Sequence, residues 1–335
     1  MQYNPIIFAN YPRGQDWPTP INNHCDQPFR VVNIDLEGDC YVCQCEAHLP
    51  VSVGNITDFD RLQDVWTNPI AIKLQQTILD RSYTYCAVQH CGIINADHVM
   101  NRYQIGINID ESCNLSCPSC RRQSINHTSG PLYHTRLAKV MHLIDLVNQF
   151  TEPVHIVMSG NGDPLASAIM RPLLLNWQPK NHQTIKLHTN GLLMKKLLPT
   201  SSILEHISEF HISVDAGSES VYEVVRRPGK FDALLENLEW LRNNRPRNAQ
   251  VTLLFVVSAM NVSSIVPFAD LCQRYGFTGE YTKLDNWGTF DNFDSQDVSR
   301  ASHPMHSTMC QQLALVAEKS HVTISPFLKK FIKTN

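Results

Sequence analysis

The 335-residue chain is 43% hydrophobic, enough to bury a core of one large domain or of a large and a small one. Its formal charge of −3, with no long basic run beyond the tail "FLKKFIKTN", gives no electrostatic footprint for DNA or RNA. No apolar run reaches the roughly 18 residues of a membrane helix, and "MQYNPIIFANYPRGQDWPTP" lacks a basic segment followed by an apolar one. The expectation is a cytoplasmic protein with neither nucleic-acid nor membrane partners, in which the Asn-x-Ser/Thr triplets at Asn55, Asn126 and Asn261 carry no glycosylation meaning.

In chain order, "FRVVNIDLEGDCYVCQC" reads as two strands around a turn at Glu37–Gly38–Asp39. "DFDRLQDVWTNPIAIKLQQTIL" is helical with a break before Pro69. "QIGINID" is a strand leading into a cysteine loop, and "TRLAKVMHLIDLVNQF" has helical periodicity. "VHIVMSG" is a second strand ending in "SGNGDP", followed by a helix through "AIMRPLLLNW". "TIKLHTNG" precedes a helix through "LLPTSSILEHI", and "FHISVDAG" precedes "FDALLENLEWLRNN". "VTLLFVVS" leads to "SIVPFADLCQRYG", a helix with a glycine stop, and "GEYTKLDNWG" is a sixth strand. This series predicts an α/β fold, a partial (β/α)6 TIM-like barrel over 101–335, preceded by a small cysteine-bearing domain over 1–100. Such folds place chemistry on the loops after the strands, where the cysteine loop, "SGNGDP", "HTNG", "SVDAG" and "LDNWG" all fall.

Of the eleven cysteines, six lie between Cys25 and Cys91 and three between Cys113 and Cys120; Cys272 and Cys310 stand apart. In a reducing compartment such clusters read as metal ligands before disulfides. Cys113, Cys117 and Cys120, in C-x3-C-x2-C spacing, can hold three corners of a four-iron, four-sulfide cubane. The fourth iron then stays open for a substrate or cofactor, as in a catalytic metal site with a vacant position. A three-cysteine zinc site completed by His127 or a distant residue is the alternative.

Those cysteines, on the loop after the first strand of a βα series, resemble the signature of the radical S-adenosylmethionine (radical SAM) enzymes, in which the open iron binds the cofactor's amino and carboxylate groups. Ser119 stands where that family commonly has an aromatic residue, and Asp163 where it has glutamate. The resemblance implies that Gly160, Asn161, Gly162 and Asp163 approach the methionine end and that Thr189 and Asn190 face the cofactor. It also implies that Ser213 hydrogen-bonds ribose or methionine, that Asp215 shapes the pocket, and that Arg226 or Arg227 pairs with the methionine carboxylate. Asp215 also reads as a plain turn or helix-cap residue.

The spacing Cys25, twelve residues, Gly38, four residues, Cys43 resembles the start of a SPASM or shorter "twitch" auxiliary-cluster domain, and "YTYCAVQHC" adds Cys86 and Cys91. One auxiliary 4Fe-4S cluster on Cys25, Cys43, Cys86 and Cys91 is implied, with Cys45 able to replace one of them and Cys40 a packing residue; a structural zinc ribbon is the alternative. This domain ordinarily follows the barrel and here precedes it. Cys272 reads as core. Cys310, flanked by His303 and His306, reads either as core or as a thiol hydrogen donor of the kind some peptide epimerases in the superfamily use.

The implied activity is reductive cleavage of S-adenosylmethionine to a 5′-deoxyadenosyl radical that abstracts hydrogen from a peptide or protein, giving crosslinking, epimerisation or oxidation. An electron donor such as flavodoxin or ferredoxin is implied as partner. The alternatives are a small-molecule substrate and a non-catalytic metal-binding or electron-transfer protein.

Overall fold

The computed structural model describes residues 24–43, 51–86, 100–159 and 161–332. Its contacts divide the chain into two compact units. The first takes the chain up to Glu111, then His127–Gly162 and Ser167–Ile185; the second takes Ser112–Asn126, Asp163–Ala166 and Lys186 onward.

The first unit opens with α1 (Gln27–Arg30), β1 (Val31–Ile34) and β2 (Cys40–Tyr41). β1 and β2 form the expected antiparallel hairpin. Its turn is tied by Asp35 Oδ1, which accepts from the backbone N–H of Glu37 and Asp39, both at 2.9 Å. Gly38 sits at φ 82°, where an L side chain is strained. Then come α2 (Asp64–Thr67) and α3 (Pro69–Leu79). The break expected before Pro69 is present: Asn68 accepts from the N–H of Ile70 and Ala71, capping α3, and Pro69 opens it. β3 (Tyr103–Ile107), α4 (Gly130–Gln149), β4 (Val154–Met158) and α5 (Arg171–Leu175) follow. Helix α5 is shorter than the periodicity of "AIMRPLLLNW" suggests, because Pro172 is tolerated only in a first turn and so fixes where the helix begins. The unit ends in β5 (Gln183–Thr189), which passes into the second unit at Lys186.

The strand order here is β2-β1-β3-β4-β5, with β1–β3 and β3–β4 parallel. The N-terminal hairpin thus belongs to the same sheet as β3. Trp66 locks it there: the ring packs against Tyr103 in a tilted contact at 4.8 Å and its Nε1 donates to Val31 O at 3.1 Å.

The second unit continues with α6 (Met194–Leu197), β6 (Ile207–Ser213), α7 (Glu219–Val225), α8 (Phe231–Asn244) and β7 (Gln250–Val257). It closes with α9 (Ile265–Tyr275), β8 (Thr278–Lys283), α10 (His306–Ala317), β9 (Val322–Ile324) and α11 (Pro326–Lys329). Pro199 ends the helix expected through "LLPTSSILEHI": α6 stops at Leu197 and a 3-10 turn, Leu198–Thr200, carries the proline. The glycine stop after α9 is Gly276 in the left-handed region at φ 69°. The strand order is β5-β6-β7-β8-β9, with β6–β7, β7–β8 and β8–β9 parallel; β9 extends the ladder past the six strands expected.

Each strand shows its two faces by alternation. Phe255, Gly279 and Tyr281 face α9. Phe255 and Tyr281 meet Phe268 at 5.0 and 5.3 Å, and a Cβ at Gly279 would come within 2.9 Å of Cys272 Sγ. Cys272 is therefore a core thiol, pushed up to about 12 by burial. The opposite face, half-buried, carries His188, His211, Ser213, Leu254 and Glu280. A mostly parallel sheet in a strand–helix series of this kind is the α/β architecture of a partial TIM-like barrel. Among the described residues, no helix is long and apolar enough to cross a membrane.

Candidate active site

The cysteine loop belongs to the second unit, as do Asp163, Thr189, Asn190, Ser213, Asp215, Arg226 and Arg227. Its ends close on an isolated antiparallel bridge, Cys113 to Ile125, with Cys113 N–H donating to Ile125 O at 2.8 Å. Its middle is clamped to the segment after α7: Ser116 N–H donates to Arg227 O at 2.8 Å and Arg227 Nε donates back to Ser116 O at 2.9 Å. A tight turn, with the N–H of Cys120 and Arg121 both donating to Cys117 O, sets Cys117 and Cys120 close in space. Arg227 thus serves the loop as a brace.

Each of the three sulfurs faces an N–H donor. Leu115 N–H donates to Cys113 Sγ at 3.4 Å, Arg226 Nη1 to Cys117 Sγ at 3.7 Å and Arg121 Nη2 to Cys120 Sγ at 3.6 Å. As free thiols, Cys113 and Cys117 resist ionisation. Burial, with the nearby Asp163 carboxylate, pushes Cys113 up to about 11; burial also raises Cys117, against the opposing pull of Arg226. A bound metal therefore has to displace their protons.

The loops after β4 and β5 lock to each other and to the cysteine loop. Asp163 N–H donates to Ser112 O at 2.8 Å. Its buried carboxylate accepts from Thr189 Oγ1 at 2.9 Å, Asn190 N–H at 2.7 Å and Leu165 N–H at 2.9 Å. Asp163 and Thr189, read from the sequence as facing a cofactor, spend these polar atoms on one another, and both are almost fully buried. Asn190 extends to the cysteine loop, its Nδ2 2.8 Å from Asn114 Oδ1 and 3.9 Å from Cys113 Sγ. Asn161 and Gly162 fall in the first unit, and Gly160 lies outside the described residues.

Asp215 holds a left-handed backbone, φ 59°, a conformation that costs a residue with a Cβ on the order of 1 kcal/mol and that, glycine aside, Asn and Asp tolerate best. Four contacts keep it there. Its N–H donates to Leu254 O at 3.1 Å, its carbonyl accepts from Asn261 Nδ2 at 3.0 Å, and Oδ1 accepts from Val256 N–H at 2.7 Å. Oδ2 pairs with Arg226 Nη2 at 2.7 Å, both side chains nearly buried. Burial alone would lower the pKa of Arg226; the charge of Asp215 outweighs it and holds the guanidinium protonated. Two buried atoms nearby have no partner among the described residues: Arg226 Nε and the hydroxyl of Tyr222, a residue that sequence reasoning missed.

Another missed residue is His188. Its Nε2 lies 3.0 Å from Ser213 Oγ and its ring 6.2 Å from His211. Burial, then the charges of Arg226 and Lys186, push it down to about 4, so the imidazole is neutral. Period-two alternation through "TIKLHTN" was the available signal, since it puts His188 and Thr189 on opposite faces.

In the first unit, Cys25, Cys40 and Cys43 are buried thiols and Cys86 is half-buried, while Cys45 and Cys91 lie outside the described residues. Cys40 packs in the hairpin, fully buried, with its Sγ 3.8 Å from Gly38 O. Cys43 is tethered through its backbone, its carbonyl accepting from Asn33 Nδ2 at 3.2 Å. Asn33 crosses directly over Gly106, where an added Cβ would overlap its Oδ1. His127 pairs with Glu111 at 3.2 Å, in a group where the buried Arg136 also reaches Glu111, at 3.5 Å, and Asp110, at 3.7 Å. Cys310, on α10, has its Sγ 3.6 Å from His306 Nε2; His303 Nε2 lies 3.1 Å from Ser295 O.

No group of three or more His, Cys, Asp or Glu that could hold a single metal ion occurs among the described residues. A cubane makes a different demand, one iron per thiolate. The donor set of the loop fits that demand: three thiols, each facing an N–H, with two guanidinium groups to offset the negative charge of the thiolates and cluster. The unpartnered Arg226 Nε and Tyr222 hydroxyl fit a further polar ligand beside Cys117.

The family model of the radical SAM superfamily matches residues 107–272, and that of an iron–sulfur cluster-binding domain, SPASM, matches residues 25–92. The mycofactocin maturase MftC of Mycobacterium ulcerans (strain Agy99) is 27% identical over 207 residues, 61% of this chain and 51% of that protein. The 7,8-dihydro-6-hydroxymethylpterin dimethyltransferase of Methanocaldococcus jannaschii is 22% identical over 137 residues, 41% of this chain and 26% of that one. The chain thus spans about half the length of the maturase it matches. Among solved structures, Streptococcus suis SuiB bound to precursor peptide SuiA superposes with a TM-score of 0.45 at 12% identity, covering 66% of this chain and 48% of that one. The cofactors are accordingly a SAM-binding 4Fe-4S cluster, S-adenosylmethionine and an auxiliary iron–sulfur cluster. With both family models matched in this order, and the three loop thiols arranged as described, the chain belongs to the radical SAM superfamily and carries a SPASM-type iron–sulfur domain ahead of its radical SAM domain.

Proposed function

We propose that this protein reductively cleaves S-adenosylmethionine and abstracts a hydrogen atom from a peptide or protein substrate in the cytoplasm, with a flavodoxin- or ferredoxin-like electron donor. The observation that carries the reading is the loop itself: three thiols braced by backbone bridges, each sulfur facing an N–H donor. When bound, the cluster and S-adenosylmethionine together supply one-electron reduction of a sulfonium and a carbon-centred radical.

The chain's own residues bind and orient. Cys113, Cys117 and Cys120 hold the cluster, and the N–H groups facing the three sulfurs tune its potential. Arg226, kept protonated by Asp215, offers its unpartnered Nε, and Tyr222 its hydroxyl, to the carboxylate end of the cofactor. Ser213 and Asn190 take further polar contacts. Asp163 and Thr189 act one step back, fixing the loop that carries Asn190. Gly160, Asn161 and Gly162 belong with the methionine end. In the N-terminal domain, Cys25, Cys43, Cys86 and Cys91 hold the auxiliary cluster, with Cys45 the substitute.

A peptide substrate is supported by the SPASM-type domain and by likeness to proteins named as maturases. The weaker, shorter likeness to a pterin dimethyltransferase makes a small molecule the competing outcome. Anaerobic reconstitution tests the reading. The expected result is about eight irons per chain, from two cubanes, and 5′-deoxyadenosine formed only with dithionite. Deuterium passing from a labelled candidate peptide into the nucleoside then assigns the substrate. Bound zinc with no nucleoside contradicts the proposal.

A further inference from the structure

His188 and Ser213 close the C-terminal ends of two neighbouring strands, β5 and β6, on the sheet face turned away from α9. Two residues past His188, Asn190 reaches Asn114 of the cysteine loop; two residues past Ser213, Asp215 holds the arginine that reaches Cys117. The His188–Ser213 hydrogen bond therefore ties together the strand ends that supply the polar neighbours of the loop. Both side chains lie on the less buried face of their strands, whose core face is filled by Leu187 and Ile212.

A serine hydroxyl has one proton and two acceptor positions. Unrestrained, it rotates among staggered orientations; with an imidazole nitrogen at 3.0 Å, one polar position is taken and the rotor stops. If Nε2 accepts, the hydroxyl keeps lone pairs for a ligand O–H or N–H; if Nε2 donates, the proton is left for a ligand oxygen. Because Arg226 and Lys186 help keep His188 neutral, the ring retains this choice and adds no charge beside the guanidinium.

We propose that His188 is a positioning residue that aims the Ser213 hydroxyl at S-adenosylmethionine, so that losing its Nε2 weakens binding of that cofactor through Ser213 alone. This rests on the proposed contact between Ser213 and the cofactor.

The test is equilibrium dialysis of radiolabelled S-adenosylmethionine against the full chain, anaerobically reconstituted, with iron content and near-ultraviolet circular dichroism matched across variants. Removing one hydrogen bond should weaken binding about five- to tenfold in His188→Leu. His188→Gln, which places a polar atom near the Nε2 position, should stay within about twofold of wild type. His188→Asn, polar but too short, should match His188→Leu, which keeps the inference testable if the apolar variant folds poorly. In the Ser213→Ala background, His188→Leu should add no more than about twofold, the non-additivity of groups acting as one unit. Unchanged binding in both His188→Leu and His188→Asn, or losses that multiply in the double variant, overturn the inference while leaving the proposed function standing. A wild-type protein that binds no S-adenosylmethionine overturns both.

Discussion

The two cysteine regions differ in how their thiols are gathered. In the loop after β3, Cys113, Cys117 and Cys120 sit on one short segment, closed by a backbone bridge and clamped by Ser116 and Arg227. In the N-terminal region, Cys25, Cys43 and Cys86 come from three segments, and Asn33 of the sheet donates to the Cys43 carbonyl. A ligand set confined to one loop is set by local backbone geometry, and its spacing in sequence is nearly its geometry. A set assembled from distant segments depends on tertiary contacts, and its spacing constrains little.

The sharpest way to separate the two regions is to remove one thiol from each. Cys117→Ala should abolish 5′-deoxyadenosine formation and remove about four irons, one cubane, while leaving the auxiliary cluster. Cys43→Ala should remove a similar number but leave S-adenosylmethionine bound. Iron analysis with electron paramagnetic resonance reads both, and loss of both clusters from either variant would break the separation. Next in size is Arg226→Met, which strands the buried Asp215 carboxylate and should cost about 3–5 kcal/mol by denaturant unfolding. A change under about 1 kcal/mol would mean the pair does not hold the left-handed turn. Gly106→Ala should be milder, about 1–3 kcal/mol from overpacking, because its methyl would displace Asn33 from Cys43 O. A spectral change confined to the auxiliary cluster is the expected signature, and none at all would show that the tether is idle.

The last prediction concerns pH. In the unfolded chain His188 takes its proton near its ordinary value of 6.5; in the folded chain it resists until about 4. Between those values the unfolded state binds more protons, so its contribution to stability is complete above about pH 6.5 and is lost as pH falls toward 4. Thermal melts across that window should fall less steeply for His188→Gln than for wild type, and identical slopes would show that the imidazole is not held neutral.

What was legible in the sequence follows the same division between local and distant. The Gly38 turn, the Asn68–Pro69 break and the Gly276 stop are each decided within a few residues, and each is present. The parallel pairing of β1 with β3 and the added strand β9 depend on partners far along the chain, which no local pattern encodes. Apolar periodicity alone predicts helices longer than α5 and α6, because it takes no account of the limits set by Pro172 and Pro199. In the site, the cysteines were plain from spacing. The roles inside "HTNG" were not, because a motif names residues without saying which face they take. Thr189 turns to Asp163 and His188 to Ser213. Tyr222 gave no signal, since an aromatic on a short helix reads as core until its hydroxyl is seen to lack a partner.

The most direct measurement is electron–nuclear double resonance on the reduced, reconstituted protein with S-adenosylmethionine labelled at its amino nitrogen and carboxylate. Strong hyperfine coupling of both labels to a cluster that disappears in Cys117→Ala is the expected result. A cluster on the loop that shows no coupling to either label, because a side chain fills the fourth corner, would contradict the proposal that three thiolates leave an iron open.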